Sequence, residues 1–456
     1  MNGNSTRRVI VEAGDTQVVG HVGLHLLGQF ADRLGVSDVL TSAFEWQGER
    51  GPVHARGTVL THVMLMLAGG GEACTDIGYL AGQARLFGPV ASASTVWRTF
   101  AQSDAATLER VQSRFASVRR DVWARSAATT GTGPVVLDID GSLIEIHTES
   151  KTGTGPTYKG GYGFHPLFCF ADATGEMLAA KLRPGNAGAN TVTDHLDVLD
   201  TAIGQLPTRI IAGHRADDDH ELVERPVIVR ADSAGCTHGF VTGCRARNVG
   251  FAVAARQNPN IHRAISKILG KPDRWHTATR QDGLPRKGAQ VAEITDLVAL
   301  DDWPEGTRLI IRREPLHPGA QRSLFPSDAY RYWGHYTDQA GDPVILDQQM
   351  RAHAHVEDHI KRLKDSGLNR FPFADLAANE AWLCVAGMAA DLVRWFQLLC
   401  CTGQLAIAAP KRLRWTLWHT PARIVRKAGC DIIRIIDGWP TSNDLLAAYQ
   451  RINLII

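Results

Sequence analysis

The sequence predicts an α/β fold: a mixed sheet flanked by helices, with a helical region before it and a mostly β insertion inside it. Three observations predict it. Apolar residues recur at helical spacing through residues 1–130, strand-like apolar runs at 135–140 and 226–232 each end in an aspartate, and the stretch 257–340, with its many prolines and Trp275, Trp303 and Trp333, breaks the alternation of strands and helices.

Taken in order, Val22 to Leu34 and Val59 to Leu67 read as helices. Ser92-Ala-Ser-Thr-Val-Trp-Arg-Thr-Phe100 sets a serine ahead of apolar residues at helical spacing, a helix start. It reads as the second helix of a helix-turn-helix with Arg98 toward DNA, or equally as a plain packing helix. Gly131-Thr-Gly-Pro134 is a breaker, and Val135-Val-Leu-Asp-Ile-Asp140 is a buried strand. Phe164 to Asp172 and Glu176 to Leu182 are two more strands, Asn190 to Leu206 a helix, and Pro226 to Asp232 and Phe251 to Arg256 further strands. Three hairpin-like strands, a helix, another strand and another helix is the order of an RNase H-like fold. Arg308 to Arg312 and Tyr330 to Tyr336 lean to β within the insertion. Helix returns at Gln348 to Ser366 and Ala377 to Leu399, and the tail from 401 is basic at its start and partly helical.

A chain of 456 residues suggests two to four packed units, and 44% hydrophobic with 21% charged residues is an ordinary globular balance. A net charge of +2 neither demands nor excludes nucleic acid, so any basic surface is local. No run reaches the ~18 uninterrupted apolar residues of a membrane span. The opening MNGNSTRRVIVEAGD lacks the apolar core of a secretory signal, so a cytoplasmic location is expected. None of the eight cysteines forms a CxxC pair, which reads as buried thiols in a reducing compartment.

Strand ends put carboxylates at a rigid sheet rim, where α/β folds place their chemistry. Asp140 and Asp232 stand at two such ends. Glu357 lies on a helix where His353, Glu357, Lys361 and Lys364 share one face, beside an apolar stripe of Ala352, Val356, Ile360 and Leu363. Three gathered carboxylates repel unless cations lie between them, and hard oxygen ligands suit Mg²⁺ or Mn²⁺. Two such ions ~3.5–4 Å apart can activate an attacking oxygen and stabilise the leaving oxygen of a phosphodiester. The lysines and the histidine would meet phosphate. The metal-free alternative is that the aspartates cap turns and the glutamate lines an exposed helix.

Ordered blocks of sequence add to this: Leu137-Asp-Ile-Asp-Gly-Ser142, Tyr158-Lys-Gly-Gly-Tyr-Gly-Phe-His-Pro-Leu167, Leu182-Arg-Pro-Gly-Asn-Ala-Gly-Ala-Asn190, Val229-Arg-Ala-Asp-Ser-Ala-Gly235, Val356-Glu-Asp-His-Ile-Lys-Arg-Leu-Lys364 and Leu413-Arg-Trp-Thr-Leu-Trp-His-Thr-Pro-Ala-Arg-Ile-Val-Arg426. Together they resemble a bacterial insertion-sequence transposase of the DDE class, in the group typified by insertion sequence thirteen-eighty. The resemblance implies that Asp140, Asp232 and Glu357 are the catalytic carboxylates and hold two Mg²⁺ (or Mn²⁺) ions, with Asp138 the alternative to Asp140. It implies cut-and-paste transposition at terminal inverted repeats through hairpin ends. The partners it implies are element and target DNA and a second copy of the chain, in a bacterial cytoplasm at the nucleoid. That group carries a tyrosine seven residues and an arginine four residues before the glutamate, and a lysine seven after it. Lys364 matches, whereas Met350 and His353 stand at the other two positions, which leaves open a relative that binds element ends without cutting. Arg351 or Lys361 would then take over the phosphate contacts.

Lys411 to Lys427 holds six basic residues and no acidic one. With Trp415 and Trp418 interleaved, it offers Arg412, Arg414, Arg423 and Arg426 to a DNA track, or is a solvated structural face. Lys159 and Arg183, in glycine-rich loops, are candidates for substrate contact or turn chemistry. His353, His355 and His359 suggest zinc, but the intervening glutamate matches neither common zinc-helix arrangement. Gly69-Gly-Gly-Glu72 lacks the lysine of a phosphate loop. The resulting division is 1–130 helical and DNA-binding, 131–256 with 341–400 catalytic, 257–340 a β-rich insertion, and 401–456 a basic C-terminal region.

Overall fold

The computed structural model describes residues 14, 17–45, 51–129, 133–211, 226–316 and 330–455. The opening stretch, apart from Gly14, and Gly131 and Thr132 of the breaker lie outside them. Helices α1 (Val22–Arg33), α2 (Arg56–Ala68), α3 (Ala93–Ala101) and α4 (Ala105–Arg125) come first. Side-chain caps start the last two: Ser92 Oγ accepts from the Thr95 amide at 3.4 Å, and Asp104 Oδ1 from the Thr107 amide at 2.8 Å.

The central sheet follows. Its first three strands are β1 (Val135–Gly141), β2 (Leu167–Ala171) and β3 (Glu176–Lys181), then helix α5 (Val192–Gly204), β4 (Val227–Ala231), helix α6 (His238–Ala246) and β5 (Gly250–Ala254). The reading of one strand from Phe164 to Asp172 is corrected. Tyr162–Phe164 pairs instead into a small sheet with Ile144–Glu145 and Gly155–Pro156, and the main strand starts after Pro166. Pro166 has no N–H to give a ladder, so the chain changes sheets there.

Strands β6 (His276–Thr279), β7 (Pro285–Glu293), β8 (Arg308–Pro315) and β9 (Tyr330–Thr337) supply the β character of 257–340. They do not form a sheet of their own. Strand β9 pairs antiparallel with β5, His335 opposite Ala254, giving one nine-stranded sheet in the order β6-β7-β8-β9-β5-β4-β1-β2-β3. Only β5-β4 and β4-β1 are parallel, so the sheet is mixed.

The helix read from Gln348 begins earlier, as α7 (Pro343–Arg351), because Asp342 caps it and Pro343 fits its first turn. A tight turn at Ala352–Ala354 leads to α8 (His355–Leu363), and α9 (Leu376–Cys400) follows. By length and composition α9 could cross a membrane, yet 78% of its most apolar stretch is buried inside the fold, so it is the core helix. The tail adds a β-hairpin absent from the sequence reading, β10 (Ala422–Lys427) and β11 (Cys430–Ile435), and helix α10 (Ser442–Asn453). All eight cysteines are free thiols.

Alternation along the strands feeds two cores. Phe168 and Phe170 point into one with α1–α4, α8 and α9, while Leu167, Cys169, Leu137 and Ile139 point into the other with α5 and α6. A buried ionic cluster fastens the first layer to the sheet. Arg119 of α4 donates to Glu176 of β3 at 2.9 Å, to Asp391 of α9 at 2.7 Å and to Gln205 at 2.7 Å. The indole N–H groups of Trp123 and Trp395 both reach Glu176 at 2.6 Å, and the Met177 amide reaches Asp391 at 2.8 Å. Two carboxylates thus share one guanidinium. Burial above all, with Glu176 adding and Arg119 opposing, pushes Asp391 up to about 7.

Candidate active site

Parallel pairing sets the two aspartates side by side. In the β1–β4 ladder Asp138 lies opposite Arg230 and Ile139 opposite Ala231, so the next step brings Asp140 abreast of Asp232. Their 92-residue separation is therefore the register of the ladder. Both belong to the face that carries Phe168 and Phe170, because Asp138 pairs with Phe170 and Asp140 with Phe168 on β2. Helix α8 packs on that face through Val356, Ile360 and Leu363. Glu357 is exposed on the same helix, α8.

Both other carboxylates bear on Asp140. Burial first, then the Asp232 carboxylate, push Asp140 up to about 6, and Glu357 adds to the rise while the Gly141 amide and His353 oppose it. Asp140 Oδ1 accepts from the Gly141 amide at 2.7 Å, and Asp232 Oδ1 from the Ala234 amide at 2.8 Å. Among the described residues no three His, Cys, Asp or Glu side chains are gathered closely enough to hold an ion as they stand. The donor chemistry nevertheless fits a hard divalent cation: carboxylate oxygens at two adjacent strand ends, with one carboxyl pushed up by burial and then by its neighbour. That also separates Asp138 from Asp140. Asp138 is 0% exposed and fully engaged, accepting from Arg230 Nε at 2.8 Å, Arg230 Nη2 at 2.6 Å and His353 Nδ1 at 2.8 Å. Burial would raise it, but those partners hold it below the usual carboxylate range.

Of the candidate phosphate contacts, the structure brings some here and not others. Lys364 Nζ donates to Ser142 Oγ at 2.7 Å, two residues past Asp140. Burial and the nearby charge of Lys159 pull its ammonium down. Lys361 is exposed on α8. Arg351 turns away, to Asp347 at 3.0 Å and to the Thr279 carbonyl. Arg183 is 3% exposed and held by the His165 carbonyl at 3.0 Å and by Gly188 and Asp194, each at 3.3 Å. The basic C-terminal run is split: Arg414 is partly buried and clasps the Asp365 carbonyl at 2.9 Å, Trp418 is core, and Arg412, Trp415, Arg423 and Arg426 are exposed. The three histidines of the rejected zinc site do not converge, since His353 binds Asp138, His355 binds Asp172 at 3.1 Å and His359 Nε2 is buried without a partner.

Sequence reading missed His165. A Cβ on Gly141 would stand 3.1 Å from its ring, so the imidazole packs against the residue after Asp140. Burial and Arg183 lower it, and the Asp232 charge opposes them. Its only sequence signal was its place in the Gly-Phe-His-Pro block.

No curated protein matches the chain by sequence. Among solved structures it is similar to a piggyBac transposase synaptic complex with hairpin DNA, at 9% identity and a TM-score of 0.41, covering 87% of this chain and 79% of that one. The family profile described as transposase DDE domain group 1 matches residues 2–455, so the chain belongs to that family of DDE transposases.

Proposed function

We propose that the protein is a cut-and-paste DNA transposase of the insertion-sequence-thirteen-eighty group, from a bacterium, acting at the nucleoid. Its substrate is the terminal inverted repeat of its own element, and its second substrate is target DNA. The observation that supports this best is the in-register pair Asp140 and Asp232 at adjacent parallel strand ends.

In this reading Asp140, Asp232 and Glu357 would hold two Mg²⁺ or Mn²⁺ ions. When bound, such ions lower the pKa of an attacking oxygen and offset charge on the leaving oxygen of a phosphodiester. The chain's own residues orient the strand. Lys364, braced on Ser142, and Lys159 set positive charge beside the carboxylates for a backbone phosphate, with Lys361 on the outer turn of α8. Exposed Arg412, Arg423 and Arg426, with Arg414 at their edge, form a second basic track, and the helices of 1–130 recognise the element's ends. Repeated phosphoryl transfers at one site, through hairpin ends, release and insert the element. A homodimer brings two ends together. Arg351 and Arg183 serve the frame that holds these groups.

Incubation with Mg²⁺ and labelled element ends tests the reading. Wild type is expected to cut and join, while Asp232→Asn and Glu357→Gln bind the ends without cutting. Cutting by Asp232→Asn at the wild-type rate sinks the assignment. Nicking without joining identifies a nuclease. Binding without nicking by wild type identifies a non-cutting relative, the reading that Met350 and His353 favour.

A further inference from the structure

Close in sequence to the three carboxylates lies a second set of side chains, two on the same strands and one in the turn before α8. Asp138 is two residues before Asp140 on β1, Arg230 two before Asp232 on β4, and His353 one helical turn before Glu357. A step of two on a strand keeps the same face, so Asp138 and Arg230 share the face of Asp140 and Asp232, while His353 lies in the turn that leads into α8. Asp138 receives both Arg230 nitrogens and the His353 ring, and Arg230 Nη1 also donates to the Gln349 carbonyl of α7 at 2.7 Å. A further contact runs from Arg230 Nη2 to Asp172 at 3.0 Å, and His355 meets Asp172 from α8. This second set is charge-balanced and nearly dry: Asp138 0%, Arg230 4% and His353 12% exposed. The three carboxylates have no ion-pair partner among the described residues.

We infer that Asp138, Arg230 and His353 are positioning residues that fix the mutual placement of Asp140, Asp232 and Glu357 for divalent-ion binding. A buried ion pair is a poor source of net stability, since apolar packing often does as well. It is a good source of geometry, because bidentate arginine–carboxylate contacts restrict angle as well as distance. His353 links Asp138 directly to the segment carrying Glu357, and Asp172 links Arg230 to His355 of the same segment. An arginine at 353 would set a second permanent positive charge against Arg230, whereas imidazole donates to Asp138 without requiring one. The inference rests on the reading of the three carboxylates as ion-holding.

The test uses the full chain, Mn²⁺ alone and no DNA, with free Mn²⁺ followed by electron paramagnetic resonance. His353→Asn keeps an amide near the position of Nδ1, within reach of Asp138, and His353→Gln moves it toward the position of Nε2. Urea unfolding midpoints of the two variants are expected to match. Mn²⁺ affinity is expected to stay near wild type in His353→Asn and to fall roughly 10- to 100-fold in His353→Gln, the scale of losses when groups supporting metal ligands are altered. Equal Mn²⁺ affinity in the two variants, with binding still lost in Asp140→Asn, overturns the inference and leaves the carboxylate reading standing. Wild-type binding by Asp140→Asn overturns that reading instead.

Discussion

Replacing Arg119 by methionine removes the single cation from a cluster that holds two carboxylates. Glu176 keeps its two indole donors, but Asp391 is left with one backbone amide, and both groups are at most 2% exposed. Breaking a buried pair by removing one partner costs about 3–5 kcal/mol, a large share of the ~5–15 kcal/mol that a native fold has to spare. For a chain of 456 residues the scale is roughly 1 °C per kcal/mol, so melting should drop by about 3–5 °C. Trp123 and Trp395 touch the cluster, so their fluorescence reports its opening directly. Adding Glu176→Gln and Asp391→Asn to Arg119→Met removes the stranded charges and should recover part of the loss. A single variant that melts within about 2 °C of wild type would mean that the cluster does not fasten α4 and α9 to the sheet.

The same cluster gives a pH dependence. Asp391 is raised from the ordinary carboxylate range to about 7, so the folded state holds its proton where the unfolded state has lost it. Its contribution is full in acid and is lost as pH rises through about 7, and a melting scan across that range should slope down in wild type and flatten in Asp391→Asn. A Cβ on Gly23 would stand 2.1 Å from the Leu417 carbonyl oxygen, so Gly23→Ala should push α1 off the C-terminal segment at a cost of about 1–3 kcal/mol by denaturant titration. Burial pushes Cys384, Cys400 and Cys401 up to about 12, whereas Cys430 is exposed, so an aromatic disulfide reagent at neutral pH should label Cys430 first and the buried thiols only in denaturant. Even labelling of all eight in the native state would contradict the packing.

The strands that end in aspartate were legible because Val135-Val-Leu and Pro226-Val-Ile-Val are dense β-branched runs with a clear stop. Their register was not, since pairing is a tertiary choice that leaves no mark in either run alone. For the same reason 257–340 read as β but not as a continuation of the main sheet: nothing local says that β9 lies beside β5. The hairpin at 422–435 was missed because its turn is Ala428-Gly429, both at positive φ (53° and 82°). Asn-Gly would have announced that turn, and alanine does not. Asp342-Pro343 marks the true start of α7, although the apolar spacing of a helix becomes clear only further along. The candidate site was legible as a list of carboxylates. The separation of Asp138 from Asp140 needed the partners Arg230 and His353, which come from other elements.

The ladder between β1 and β4 has a consequence for how such chains can vary. The number 92 is not itself a requirement. Loops and helices between Gly141 and Pro226 can lengthen or shorten freely so long as Ala231 still meets Ile139. A slip of one residue cannot be absorbed, for it would bring Ala231 or Ser233 abreast of Asp140 and turn Asp232 to the opposite face. Diverged copies of this protein are therefore better aligned by ladder position than by spacing, and a reporter segment can be spliced into the connecting loops while edits within the two strands must preserve parity.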